Sequence, residues 1–206
     1  MWRSASLWAV GAGLAVCVLS APAAKCDDAP ARVRGTLEQV NGNVLSVKTR
    51  SGTSTTVPLK DGARVVAVGK GAMSDIQSNT FVGITALAQP DGTIKALEVH
   101  VFPESMRGTG EGHYGWDLMP NSTMTNAAVA QQVKKVDGNV LTLKYKDGEK
   151  TILVPSDAVV VNLIPADKAD LKPGAKIFVP RWEKKADGTW EATVVLVGRD
   201  GITPPM

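Results

Sequence analysis

Apolar and polar residues alternate with a period of two along most of the chain, in short runs broken by Gly, Asn and Asp, and this predicts strands. In the first half the runs cover Arg32 to Val40, Val44 to Thr49, Ser54 to Leu59, Ala63 to Val68, Phe81 to Ala88 and Ile94 to Phe102. Asn41-Gly42, Asp61-Gly62 and Asp91-Gly92 are hairpin-type signals, because Asn or Asp followed by Gly tolerates positive φ. Between the fourth and fifth runs, Gly71 to Ile76 reads as a short helical turn with Ser74 or Asp75 as its cap.

The pattern then repeats. Val40-Asn41-Gly42-Asn43-Val44-Leu45-Ser46-Val47-Lys48 returns as Val136-Asp137-Gly138-Asn139-Val140-Leu141-Thr142-Leu143-Lys144. Gly52 matches Gly148, Asp75-Ile76 matches Asp170-Leu171, and Asp91-Gly92-Thr93 matches Asp187-Gly188-Thr189. The second repeat runs from about Val129 to Val197, with turns at Asp137-Gly138, Asp147-Gly148 and Asp187-Gly188 and a helical insert at Ala166 to Leu171 bracketed by Pro165 and Pro173. What is duplicated is a set of turn glycines and alternating apolar positions, so the repeat specifies a scaffold and no catalytic centre. Strands, a helical insert and a closing hairpin are the order of a small OB-like barrel. The expected fold is all-β: two tandem small OB-like β-barrels from an internal duplication, with an ordered connecting loop. Two barrels are preferred to one sandwich because each repeat holds enough strands to close on itself and remove exposed edges. The expected segments are a signal peptide (1–24), a flexible leader (25–30), a first barrel (31–103), a connecting segment (104–127), a second barrel (128–200) and a tail (201–206).

Val33-Arg34-Gly35-Thr36-Leu37, Asn41-Gly42-Asn43-Val44-Leu45 and the paired Asp-Gly-Thr hairpins resemble an uncharacterised family of exported bacterial domains with an OB-like β-barrel. The resemblance covers most of the mature chain and implies a fold but no activity, since that family has none established. A metal-transporter permease label carried by some similar chains does not suit this sequence, which has no apolar segment of spanning length after its first residues.

Those first residues read as an export signal: Arg3 supplies positive charge, Leu7 to Leu19 an apolar stretch, and Ala21-Pro22-Ala23 a small-x-small cleavage site. The expected location is periplasmic or secreted, with a retained anchor as the alternative. Leu14-Ala15-Val16-Cys17 has a lipobox-like outline, but Val16 is bulky where a small residue is needed. Cleavage would leave Cys26 as the one cysteine and so no internal disulfide, which places the burden of stability on the core. The chain has 23 basic and 20 acidic residues, and losing Arg3 leaves 22 against 20. That balance disfavours a polyanion partner, and export disfavours nucleic acid further.

Candidate chemistry concentrates where the duplication stops. The joint from Pro103 to Asn126 carries Tyr114, Trp116, Leu118, His113 and the methionines Met106, Met119 and Met124. A plain linker would be polar and repetitive, so this segment is expected to pack, with Trp116, Leu118 and Met119 plugging the space between barrels. The sharper reading is a metal site. His113 with Met106, Met119 and Met124 offers imidazole and thioethers suited to copper, Glu111, His113 and Asp117 would suit zinc, and His100 could join from the first repeat. Gly108-Thr109-Gly110-Glu111-Gly112 lacks the helix that a phosphate-cradling loop requires. OB-like barrels also bind polymers on aromatic platforms, and Trp182, Trp190 and Tyr145 would form one if both tryptophans faced outward; facing inward they are core. Glu98 and Glu191 have nothing to bring them to the separation of a hydrolytic pair. These readings lead to a non-catalytic envelope protein that binds or assembles with an envelope protein or polymer; the alternatives are a periplasmic copper or zinc carrier or sensor, and an enzyme of unknown class.

Overall fold

A computed structural model describes residues 28–136 and 138–206; the expected signal peptide, both cysteines and most of the leader lie outside them. The chain is all-β. The first half forms β1 (Val33–Asn41), β2 (Val44–Thr49), β3 (Ser54–Lys70), β4 (Phe81–Ala88) and β5 (Ile94–Val101). The second forms β6 (Gly112–Gly115), β7 (Ser122–Lys135), β8 (Gly138–Tyr145), β9 (Gly148–Pro155), β10 (Val159–Ala166), β11 (Lys176–Lys184) and β12 (Trp190–Gly198). The helical elements among the described residues are single 3-10 turns at Met73–Asp75, Glu104–Met106 and Lys168–Asp170. The first and third occupy the two predicted inserts. The first is capped at Ala72, whose N–H donates to the Asp75 carboxylate. The third is capped by Asp167, whose carboxylate accepts from the Ala169 N–H at 2.7 Å. None of these is long and apolar enough to cross a membrane.

Five strands close a β-barrel in the order β1, β2, β3, β12, β11 and back to β1, with the β3–β12 pair parallel and the others antiparallel. Strands β4, β5, β9, β8 and β7 follow the same plan, and the parallel β5–β9 contact is the single pair Lys95↔Leu153. Strand β10 joins the two rings, antiparallel to β3 and parallel to β5. The expectation that each repeat closes its own barrel is therefore corrected: β1 to β3 close with the last hairpin of the second repeat, and β7 to β9 pair with the last hairpin of the first. The second ring is one continuous stretch of chain inserted into the first.

The cause lies partly in β3. Asp61-Gly62, expected to turn a hairpin, instead bends one long strand, with Gly62 at φ +73. Strand β12 pairs Ala192 with Leu59 and Val194 with Arg64, so residues 60–63 bulge opposite Thr193 alone. The strand then continues to Lys70 and is carried past its own repeat's closing hairpin. The two closing hairpins are alike in detail. In each, an Asp carboxylate accepts from the Thr two residues on, Asp91 from the Thr93 N–H at 2.9 Å and Asp187 from the Thr189 N–H at 2.9 Å.

Apolar side chains sort into three layers. Leu37, Leu45, Val47, Val57, Ile177 and Val195 fill the first ring. Val82, Ile84, Val99, Leu141, Leu143 and Ile152 fill the second. Between the rings lies a third cluster that includes Val66, Val68, Phe81, Phe102, Met124 and Phe178. Strands shared by two layers are buried on both faces. This explains why Val65-Val66-Ala67-Val68 is an unbroken apolar run, with Val65 and Ala67 in the first ring and Val66 and Val68 in the middle layer.

Candidate ligand-binding site

The middle layer encloses a cavity of about 340 Å³. Its apolar wall includes Val66, Phe102, Met124, Leu163, Phe178 and Leu196. The polar side carries Arg32, Arg64, Arg181, Tyr114, Asn126 and His100. The joint forms much of one side, because Gly112–Gly115 folds back on β7 as a short strand, pairing His113 with Thr125 and Tyr114 with Met124.

The polar groups stand in register across four strands. His100 of β5, Gly83 of β4, Asn126 of β7 and Gly112 of β6 form one row of paired Cα positions, and Glu98, Thr85, Met124 and Tyr114 form the next row on the same face. Glycine at 83 is required by packing. A Cβ there would stand 2.0 Å from His100 Nε2 and 2.4 Å from Asn126 Oδ1, so both side chains lean over the strand to become neighbours.

Glu98 is 1 % exposed and its carboxylate accepts from Thr85 Oγ1 at 2.6 Å. His100 Nδ1 lies 3.2 Å from each Glu98 oxygen and donates its hydrogen there. The carboxylate thus fixes the ring and leaves Nε2 offering a lone pair. Asn126 Nδ2 donates to the Thr109 carbonyl at 3.2 Å and to Tyr114 Oη at 3.1 Å. Since the carbonyl can only accept, the amide orientation is set, and Asn126 Oδ1 is left buried with no hydrogen-bond partner. Two acceptors, Nε2 and Oδ1, therefore sit side by side over β4.

Three arginines come from distant parts of the chain. Arg32 stacks on Trp116 at 3.9 Å from the ring centroid and pairs with Asp117 at 3.3 Å, while its Nε is buried without a partner. Arg64 and Arg181 are exposed, and neither is in an ion pair among the described residues. Burial raises the pKa of the Tyr114 phenol, and the charges of Arg181 and Arg32 work against that rise. Burial also opposes ionisation of Asp117, but the Arg34 hydrogen bond and the charges of Arg34 and Arg32 outweigh it and hold that carboxyl below its usual range.

The structure divides the expected metal donors. His100, Met124 and Glu111 line the cavity, with the Glu111 carboxylate accepting from the Lys146 N–H at 3.0 Å. His113 does not: alternation along β6 turns it to the opposite face from Tyr114, where it bonds Thr125 Oγ1 at 2.8 Å. Burial and then Lys150 lower its pKa. Met119 is 47 % exposed and away from the cavity. Among the described residues, no three His, Cys, Asp or Glu side chains are grouped to hold an ion.

The aromatic platform is also divided. Trp182 pairs with Ala192 and Trp190 with Lys184, which places both tryptophans on one face. Trp182 packs against the first core and donates to the Ala31 carbonyl at 3.2 Å, whereas Tyr145 packs against the second core. Trp116 does reach the cavity, edge-on to Phe178 at 6.2 Å. Sequence reasoning overlooked Arg32, Arg64 and Asn126, and it considered Glu98 only as one of a carboxylate pair. The one local signal was Glu98-Val99-His100, two polar residues on a single face of a mostly apolar strand. Comparison with family models, with curated proteins and with solved structures finds no match.

Proposed function

We propose that this chain is an exported, non-catalytic binding module of the cell envelope that holds a small organic ligand in its middle layer. In this reading its rings are OB-like barrels descended from one duplicated unit, with their closing hairpins exchanged. The observation that carries the reading is the cavity itself, whose wall is largely apolar while Arg64 and Arg181, in no ion pair among the described residues, stand at it. A pocket of this volume lies at the small end of the range for organic ligands, about 300–1,000 Å³. The arginines disfavour a cation as the occupant. A thermal-shift screen of neutral, cationic and anionic small molecules tests the reading on the wild type and on Leu196→Trp, which fills the cavity. Compounds that stabilise the wild type and leave the variant unmoved are expected. Stabilisation by none of the three groups would refute it.

A further inference from the structure

We infer that the ligand is an amphipathic monocarboxylic acid that also carries a hydroxyl group, an inference that rests on the cavity being a ligand site. The anionic head follows from the rim. Arg64 and Arg181 reach it without carboxylate partners among the described residues, and Arg32, paired with Asp117, adds a third guanidinium to the lining. A guanidinium matches a carboxylate through two parallel hydrogen bonds. Glu111 stands in the same wall, so a single negative charge is favoured over the nearly double charge of a phosphate.

The body follows from shape. Much of the rest of the wall is aliphatic and aromatic, and 340 Å³ corresponds to about eleven water-sized volumes at about 30 Å³ each, or roughly a dozen non-hydrogen atoms.

The hydroxyl follows from His100. Its Nδ1 donates to Glu98, which leaves Nε2 as an acceptor, and His100 lines the cavity, so a ligand hydroxyl that reaches Nε2 has a partner to donate to.

Calorimetric titration of the full chain with 3-hydroxydecanoate, decanoate and 1-decanol separates the parts. The hydroxy acid is expected to bind about tenfold more tightly than decanoate, the usual worth of one hydrogen bond. Decanoate should bind more tightly than decanol by a margin that narrows with salt. Changing Arg64→Ala together with Arg181→Ala should bring both acids to the level of decanol while the urea midpoint stays in place. Equal binding of the hydroxy acid and decanoate would overturn the hydroxyl. Decanol binding as tightly as the acids would overturn the charged head, and in both cases the cavity would stand as a ligand site. No binding of any of the three would overturn the ligand-site reading together with the inference.

Discussion

Replacing Gly83 by alanine adds one methyl group at the crossing of His100 and Asn126. The new carbon would lie 2.0 Å from His100 Nε2, 2.3 Å from His100 Cε1 and 2.4 Å from Asn126 Oδ1, all far inside contact distance. Backbone pairing on both sides of β4 holds the site, since Gly83 is in register with His100 and with Asn126, so the imidazole must swing away. Overpacking of this kind costs about 1–3 kcal/mol. Turning His100 from Glu98 deprives a carboxylate that is 1 % exposed of a hydrogen bond, about 1–3 kcal/mol more. With a urea slope of about 2–3 kcal/mol/M for a chain of this size, the unfolding midpoint should fall by about 1–2 M. Gly115→Ala is the control, because that glycine has negative φ and a Cβ on it meets nothing within 4 Å. Equilibrium urea unfolding followed by tryptophan emission measures both. A Gly83→Ala protein as stable as the control would show that His100 and Asn126 do not meet over β4, and the account of the polar row would fall with it.

The nested topology predicts that residues 71–161, expressed alone, give a cooperative thermal transition, because the second core draws only on this stretch; residues 28–103, the first sequence repeat, should give none. A folded, monomeric first repeat would contradict the strand exchange. Asp117 has a folded pKa below its unfolded value, so its contribution to stability is present above about pH 4 and is lost as the pH falls through the folded value. Asp117→Asn should therefore be less stable at pH 7 and lose less between pH 5 and pH 2 in pH-dependent urea midpoints; parallel curves would count against the arginine contacts. His113 is held neutral by burial and Lys150, so the folded state resists its protonation and stability should decline as the pH drops below about 6.5. His113→Gln should flatten that decline, and an unchanged profile between pH 8 and pH 5 would place His113 in water.

Strand positions were legible because alternation is a local property. Val44 to Thr49 and Phe81 to Ala88 end where the pattern ends. Partner choice was not, because the hairpins around Asp91-Gly92-Thr93 and Asp187-Gly188-Thr189 carry the same turn chemistry and can close onto either set of three strands. What separates them is the extended course of β3 through Asp61-Gly62, and that dipeptide reads as a turn when taken alone. The strand in the joint was hidden for a similar reason: His113 and Tyr114 between glycines offer too short a pattern to show a period. In the site, the common face of Glu98 and His100 follows from spacing. The arginines do not, since Arg32 and Arg181 come together only because β1 pairs with β11, and Arg64 joins them through β12.

Insertion of one ring within the other also sets an order of events during synthesis. Every strand of the second ring has been made once Pro155 is reached, whereas the first ring waits for β12 at Trp190–Gly198. If the middle of the chain folds first, it draws the end of β3 and the start of β10 to one place and shortens the loop that must close the first ring. Folding would then run outward from the centre of the sequence. Weakening β8 should slow the assembly of both rings, and weakening β12 should slow only the last.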